Sequence, residues 1–142
     1  MALRIANIDD LDIVLDLSYK FADSSEYATL VDKTKVKGIV ENILRSNSTE
    51  EIILLYDNIG LLAGKKLPFT FGIMNMATEV AWFVEPEYRN KGVGKELIEA
   101  FQFWAKKTGC FGVILACLDD EVGSFYEKLG YKLYERAYFK RI

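Results

Sequence analysis

One short turn holds most of the residues whose types and spacing could do chemistry. It reads Arg89-Asn90-Lys91-Gly92-Val93-Gly94 and lies between an apolar stretch and a helical pattern. Gly92 and Gly94 can adopt backbone angles closed to other residues, and they let a ligand approach the main chain. The helix that follows offers unpaired N–H groups and the positive end of its dipole. The sequence therefore predicts an anion site here, most naturally for phosphate.

Two common nucleotide-binding motifs do not fit this turn. A P-loop requires Gly-Lys followed by Ser or Thr, whereas Gly94-Lys95 is followed by Glu96, and Arg89 stands where the first glycine belongs. A dinucleotide fingerprint requires G-x-G-x-x-G, and Leu97 occupies the third glycine position. Both readings are therefore excluded.

Histidine is absent from the whole sequence. Ser-His-Asp and Cys-His nucleophile systems and the usual zinc or iron sites therefore cannot be built, and we expect no metal. Acid and base chemistry must come from carboxylates, Tyr, Cys, Lys or water.

The elements on either side of the turn must position it. Val80–Val84 reads as a central strand that Pro86 ends, and an amphipathic helix begins at Val93. Phe111–Leu118 reads as a second buried strand. Because strand, helix and strand follow one another, we expect the two strands to lie parallel with their carboxyl ends together, where ligands of α/β sheets gather.

The remaining patterns complete an α/β order. The N-terminal half predicts a strand at Leu3–Ala6, a helix capped by Asp9 or Asp10, a loop at Phe21–Tyr27, a helix from about Asp32, and a hairpin of Ile52–Tyr56 with Ile59–Lys65. Residues 66–77 either continue the sheet or form an apolar loop over a pocket. The C-terminal half predicts a short helix ended by Gly130 and a final strand over Tyr131–Ile142. We expect a single domain over residues 1–142.

Composition narrows the class of partner and the compartment. Apolar residues make up 51% of the 142 residues and the net charge is −3, which is typical of a globular domain and argues against nucleic acid. No apolar run is long enough to span a membrane, and we expect no membrane partner. Cys110 and Cys117 would lie about 23 Å apart on one strand, too far for a disulfide. These features predict a cytoplasmic protein.

The turn and a second motif together resemble the GNAT superfamily of N-acetyltransferases. The first motif is R-x-x-G-x-G after an apolar strand and Pro-Glu-Tyr, and the second is Phe125-Tyr126-Glu127-Lys128-Leu129-Gly130-Tyr131. The resemblance is strong over Glu79–Tyr134 and rests on element order before it. It implies the GNAT fold: a mostly antiparallel sheet, splayed between two parallel strands and flanked by four helices.

The resemblance also implies acetyl-CoA as the acyl donor and a set of residues that bind it. The turn would bind the pyrophosphate, and main-chain groups of the preceding strand would pair with the pantetheine arm. One strand N–H, that of Val84, would polarise the thioester carbonyl as an oxyanion hole does. The implied donor-binding residues are Phe83, Val84, Arg89, Asn90, Lys91, Gly92, Val93, Gly94, Lys95 and Asp119.

Asp119 departs from the family pattern, which often has asparagine there. The acid could accept a hydrogen bond, cap the helix together with Asp120, or face a cationic substrate. Ser124 and Glu127 also form a capping-box pattern, which would start the helix later.

The resemblance assigns two catalytic roles. Tyr126 matches the tyrosine that protonates the leaving thiolate, and its alternative is packing of the short helix against the sheet. Glu79 lies where many members place the base that deprotonates the amine; its rivals are Glu85, Glu87, Asp119 and Asp120. Cys117 could be an acyl-carrying nucleophile, but without histidine a small buried hydrophobe is the better reading.

These inferences leave two functions and several acceptors open. The first function is N-acetylation of a primary amine by direct attack within a ternary complex. The second is a binding or regulatory module that keeps the fold without efficient chemistry. The acceptor could be a polyamine, an aminoglycoside, or a protein lysine or N-terminus. An exposed final strand could pair between subunits of a homodimer.

Overall fold

The computed structural model describes residues 3–26 and 28–142 of the chain. Its strands are β1 (Leu3–Ile5), β2 (Glu51–Tyr56), β3 (Gly60–Pro68), β4 (Asn75–Val84) and β5 (Cys110–Ile114). Its helices are α1 (Leu11–Asp23), α2 (Lys33–Arg45), α3 (Val93–Lys107) and α4 (Asp120–Lys128), with 3₁₀ turns at Ile8–Asp10, Ala28–Leu30 and Pro86–Tyr88. None of the helices in these two ranges is long and apolar enough to cross a bilayer.

The five strands form one mixed sheet in the order β1-β2-β3-β4-β5. The first four strands pair antiparallel, and β5 runs parallel to β4. The crossover through α3 makes that parallel pair possible. The mixed α/β architecture expected from the sequence is therefore confirmed.

Helices cover both faces of the sheet, and each face has its own core. The α1–α2 side is filled by Val14, Leu17, Leu55, Leu61 and Phe83, among others. The α3–α4 side is filled by Leu62, Val84, Leu97, Phe101 and Tyr126, among others. The apolar spacing of each helix turns one stripe toward the sheet and explains this arrangement.

The first helix extends further than predicted, and its cap differs. Because α1 continues to Asp23, the expected loop over Phe21–Tyr27 is wrong for its first residues, and Tyr27 lies outside the described residues. Asp10 precedes α1 but makes no side-chain cap. Its carboxylate instead binds Arg4 through two hydrogen bonds of 2.5 and 2.7 Å.

Asp9 does not cap α1 either; it lies inside the 3₁₀ turn that Asn7 caps. The second helix begins as predicted, since Asp32 accepts a hydrogen bond from the Lys35 N–H.

The region between β3 and β4 continues the sheet. Both strands extend into it, and Leu67 pairs with Met76 and Pro68 with Asn75. The first of the two alternatives for residues 66–77 is therefore correct, with a short apolar tip at residues 69–74.

The last part of the chain differs most from the prediction. Strand β5 ends at Ile114, so the predicted strand to Leu118 is too long. The strand predicted over Tyr131–Ile142 is not formed, and residues 132–142 are exposed. Alternating apolar residues form a strand only where a sheet edge pairs with them, and these residues do not pair with β5 within the described chain.

Candidate active site

A gap opens between β4 and β5 beyond their last pair, Thr78 with Ile114. A β-bulge lies at the same level, because Ala63 faces Ala81 while Gly64 faces Glu79, which leaves Val80 unpaired. The bulge shifts the alternation of β4 by one residue and turns Glu79 toward the α3–α4 face. Glu79 therefore lies at the apex of the gap, where the two strands separate.

The main chain of β4 lines one side of this gap. The Glu85 N–H donates to the Ile59 carbonyl on the β3 side at 2.8 Å. Because alternate residues of a strand direct their polar groups to opposite edges, Phe83 also faces β3, whereas Trp82 and Val84 face the gap. The expectation that the Phe83 main chain faces a ligand in the gap is therefore wrong, and Trp82 takes that place.

The mouth of the gap is the turn before α3. Gly92 is the N-cap of α3, with φ at +89°, and it has no side chain to cap the helix. Asn90 also adopts a left-handed conformation, with φ at +62°. The N–H groups of Val93, Gly94 and Lys95 belong to the first helical turn and have no partner within the helix. This geometry suits an anion at the mouth.

Gly94 is required for a reason that the sequence did not reveal. A Cβ atom at this position would lie 2.7 Å from Cζ2 of Trp82, which is closer than atoms approach without displacement. A Cβ at Gly92 would meet open space, so that glycine is needed for its backbone angle alone. The two glycines of the motif therefore satisfy different constraints.

The basic side chains of the turn are exposed, and each has a contact of its own. Arg89 donates from Nε to the Val84 carbonyl at 2.8 Å. Lys91 Nζ lies 5.7 Å from the centre of the Tyr88 ring, and Lys95 Nζ lies 3.8 Å from Glu99. These cations give the mouth of the gap a local positive charge in a chain whose net charge is −3.

The environment of Glu79 changes the pKa of its carboxyl group. Burial raises the pKa of its carboxyl group from an ordinary 4.5 to about 7, although a hydrogen bond with the Ala116 main chain lowers the pKa in part. A carboxyl group with a pKa near neutrality can both accept and release a proton at physiological pH.

Tyr126, on α4, also contacts the main chain of Ala116, the residue that hydrogen-bonds to Glu79. Its hydroxyl donates to the Ala116 carbonyl at 2.9 Å, and its side chain is buried. Burial and then the charge of Glu79 raise the pKa of Tyr126 far above its ordinary value. The hydroxyl therefore stays protonated at working pH, and Ala116 links the two side chains predicted to be catalytic.

The other acids and the thiol lie elsewhere. Asp119 caps α4 by accepting a hydrogen bond from the Val122 N–H at 2.9 Å, so the later start suggested by Ser124 is wrong. Glu85 and Glu87 line a separate cavity of about 460 Å³ beside α1, where Glu85 pairs with Lys20.

Asp120, the remaining rival, is exposed in the first turn of α4. Cys117 is an exposed free thiol rather than a buried one. Within residues 3–26 and 28–142, no group of three or more acids and cysteines is arranged to hold a metal ion.

Comparison with known proteins identifies the family. The family model of the acetyltransferase (GNAT) domain matches residues 48–133, more than half of the chain. The chain belongs to the GNAT family. Its sequence is 29% identical over 141 residues to a glucosamine 6-phosphate N-acetyltransferase of Trypanosoma brucei brucei, covering 96% of this chain and 92% of the relative.

Solved structures share the GNAT fold over nearly the whole chain. An acetyltransferase of Trypanosoma brucei has a TM-score of 0.76 at 23% identity, covering 99% of both chains. The aminoglycoside N-acetyltransferase AAC(6')-Iy, in complex with CoA, has a TM-score of 0.77 at 22% identity, covering 99% of this chain and 93% of the other. Glucosamine-6-phosphate N-acetyltransferase of Arabidopsis thaliana has a TM-score of 0.74 at 18% identity, covering 99% of both.

The residues of this GNAT chain fit the acyl donor that the family uses. The uncapped start of α3 and the open space beside Gly92 suit a pyrophosphate. The gap offers the main-chain edge of β4 to an extended arm, with the Val84 carbonyl already accepting a hydrogen bond from Arg89. A further donor, the Trp82 Nε1–H group, is buried and has no hydrogen-bond partner in the described residues. An apolar-lined gap with unused donors accommodates a ligand rich in oxygen acceptors.

Two contributors to the site were not singled out from the sequence. Trp82 stacks on Phe125 with ring centres 6.0 Å apart and an angle of 4° between the rings. Ala116 contributes only main-chain groups, and its residue type gives no signal. Trp82 could have been noticed as a large aromatic residue two positions before the end of a central strand.

Proposed function

We propose that this protein transfers the acetyl group of acetyl-CoA to a primary amine, by direct attack of the amine within a ternary complex. One observation carries the proposal: Glu79, whose carboxyl pKa is about 7, and Tyr126 meet at Ala116, at the apex of a gap whose mouth is the uncapped start of α3. The proposal treats residues 1–142 as one catalytic domain.

The donor would lie along the gap from mouth to apex. The turn from Arg89 to Lys95 binds the pyrophosphate through main-chain N–H groups and basic side chains. The Val84 and Trp82 main chains pair with the pantetheine arm. Either the Val84 N–H or the Trp82 N–H, which is nearer to Glu79 along the strand, polarises the thioester carbonyl. Asp119 keeps the start of α4, and hence Tyr126, in place.

The proton transfers use Glu79 and Tyr126, which both hydrogen-bond to the main chain of Ala116. The lone pair of the neutral amine forms the new N–C bond while the C–S bond of the thioester breaks. Glu79 takes the proton that the amine nitrogen loses, directly or through water. The Tyr126 hydroxyl turns from the Ala116 carbonyl to the leaving sulfur and protonates it. Return of the proton from Glu79 to Tyr126 restores both groups, and the net products are an amide and free CoA thiol.

For the acceptor, we propose an amino sugar, with glucosamine 6-phosphate as the first candidate. The support is the relative of that name, which aligns with this chain over nearly its whole length. The half-buried Glu79 carboxylate would also attract the ammonium form of an amine into the apex. A polyamine, an aminoglycoside and a lysine peptide remain the comparison substrates.

The test is a thiol-release assay with acetyl-CoA and each of these four amines. Amine-dependent release, fastest with glucosamine 6-phosphate, is the expected result. Release that is fastest with another amine would refute the acceptor but leave the reaction standing. Acetyl-CoA binding without amine-dependent release would favour the binding module instead.

The remaining proposals concern assembly and location. The outer edge of β5 is unpaired within the described chain, and the C-terminal segment exposes Leu133 and Tyr138. We propose that a homodimer covers them, which light scattering after size exclusion checks; a monomer at all concentrations would refute it. The free thiols Cys110 and Cys117 favour the cytoplasm, a reducing compartment.

A further inference from the structure

The indole of Trp82 carries a hydrogen-bond donor that the fold leaves unused. The Nε1–H group is buried, and it has no partner among the described residues. A buried N–H without an acceptor costs free energy comparable to a lost hydrogen bond, so such groups are rare and call for an explanation. Indole nitrogen donates only, and its missing partner must be an acceptor.

The indole projects from β4 and is fixed between α3 and α4. Its six-membered ring meets the backbone of α3 at Gly94, where the absence of a side chain makes room for it. Its other neighbours are Phe125, stacked on it, and Tyr126, whose ring centre is 5.8 Å away. The edge carrying Nε1 also faces Gly94, since a Cβ there would lie 3.6 Å from that nitrogen. The donor therefore lies between the mouth and the apex.

We propose that Trp82 Nε1–H donates a hydrogen bond to a carbonyl oxygen of the pantetheine arm of acetyl-CoA. The inference rests on the proposed function, because it takes acetyl-CoA as the ligand of the gap. The arm carries amide carbonyls, and they must pass Trp82 on the way from the turn to Glu79. The pyrophosphate already has the N–H groups of the α3 start and three basic side chains as donors. Trp82 thus positions the arm with its side chain as well as its main chain.

The chain contains only two tryptophans, which makes the donor directly observable. Its nitrogen-15 spectrum should contain two indole N–H signals, assigned with Trp82→Phe and Trp104→Phe. Trp104 stacks on Phe101 on the far part of α3 and serves as the control. Saturating CoA should move the Trp82 signal downfield and slow its exchange with solvent, and it should leave the Trp104 signal in place.

ADP separates the arm from the pyrophosphate, since it carries the pyrophosphate and lacks the arm. We expect ADP to leave the Trp82 N–H signal near its free position. An equal downfield shift with ADP would place the acceptor on the pyrophosphate and overturn the proposal. CoA binding, measured by calorimetry, with no downfield shift of Trp82 would overturn it as well. No CoA binding at all would instead refute the proposed function.

Affinity provides a second measurement. Trp82→Phe keeps a ring against Phe125 and removes the N–H, so the Kd for CoA should rise about two- to tenfold, as expected for one net hydrogen bond. The Kd for ADP should stay unchanged in the same variant, and Trp104→Phe should change neither. A Trp82→Phe protein that binds CoA as tightly as the parent chain would contradict the assignment.

Discussion

Replacing Glu79 by glutamine should lower activity and raise stability in the same protein. The folded chain holds the Glu79 proton more tightly than the unfolded chain does, because burial raises the pKa of this carboxyl group from 4.5 to about 7. Its contribution to stability is therefore full below about pH 4.5 and is lost as the pH rises through about 7. Above that pH the fold contains a partly desolvated carboxylate that the unfolded chain would hydrate fully.

The size of the effect follows from the two pKa values. One pKa unit is worth about 1.4 kcal/mol, so the difference between 4.5 and about 7 amounts to about 3 kcal/mol at pH 8. At pH 5 the same relation leaves less than about 1 kcal/mol. Glutamine does not titrate, and its carbonyl can still accept a hydrogen bond from Ala116. Glu79→Gln should therefore be the more stable protein by up to about 3 kcal/mol at pH 8, with most of the gain gone at pH 5.

Two assays on the same preparations check this reasoning. Thermal unfolding at pH 8 should give a melting temperature up to about 10 °C higher for the variant. Its kcat should fall by about a hundredfold or more, as for the loss of a general base, while the Kd for acetyl-CoA changes little. At acetyl-CoA and amine concentrations below saturation, the rate of the parent chain should rise through about pH 7 as Glu79 loses its proton, and this rise should be absent in the variant. Glu51→Gln, an exposed change on β2, is the matched control and should alter neither quantity.

This expectation fails if the variant has the same melting temperature as the parent chain at both pH values, since the fold would then not raise the pKa of Glu79. It also fails if the variant gains stability at pH 8 and keeps the parent kcat, because the carboxylate would then have no role as a base.

Three further predictions concern single contacts. Tyr126→Phe should lower kcat at least tenfold with little change in the Kd for CoA, as measured by steady-state kinetics and calorimetry, because only the proton donor is lost. Gly94→Ala should destabilise the fold and weaken CoA binding because its Cβ meets Trp82; Trp82→Phe in the same chain should restore part of the melting temperature. Asp10→Asn should shift acid unfolding, because pairing with Arg4 lowers the pKa of the Asp10 carboxyl and its stabilisation, present above about pH 4, is lost as the pH falls through that lowered pKa; urea titrations should find the variant weaker at pH 7, by a smaller margin at pH 3.

The parts of the fold that could be predicted depend on neighbouring residues. The cap at Asp32, the hairpin of β2 and β3 and the start of α3 at Val93 are set by chemistry within a few positions. The same holds for the anion turn, since Gly92 and the helix after it are adjacent in sequence. The family motif then connected this turn to Tyr126.

The parts that could not be predicted depend on distant pairs. The bulge at Val80 is defined by which residues of β3 face β4, and no local pattern encodes that register. The contact of Gly94 with Trp82 and the meeting of Glu79 with Tyr126 at Ala116 likewise need the folded sheet. The prediction of a final strand over Tyr131–Ile142 was wrong for the same reason: whether this segment pairs with the free outer edge of β5 is a long-range contact that the local pattern does not encode, and no such pairing is present in the described residues.

The proposed reaction transfers an acetyl group from acetyl-CoA to an amine in the gap between β4 and β5. Acetyl-CoA labelled with carbon-13 in the acetyl carbonyl, mixed with the protein and glucosamine 6-phosphate, tests it most directly by NMR. We expect the thioester signal to be replaced by an amide signal at the rate of thiol release, and we expect Gly92→Glu, which puts a carboxylate into the turn before α3, to abolish both. A labelled thioester that binds the protein and stays intact with every amine, or a Gly92→Glu protein that transfers the label as fast as the parent chain, would contradict it.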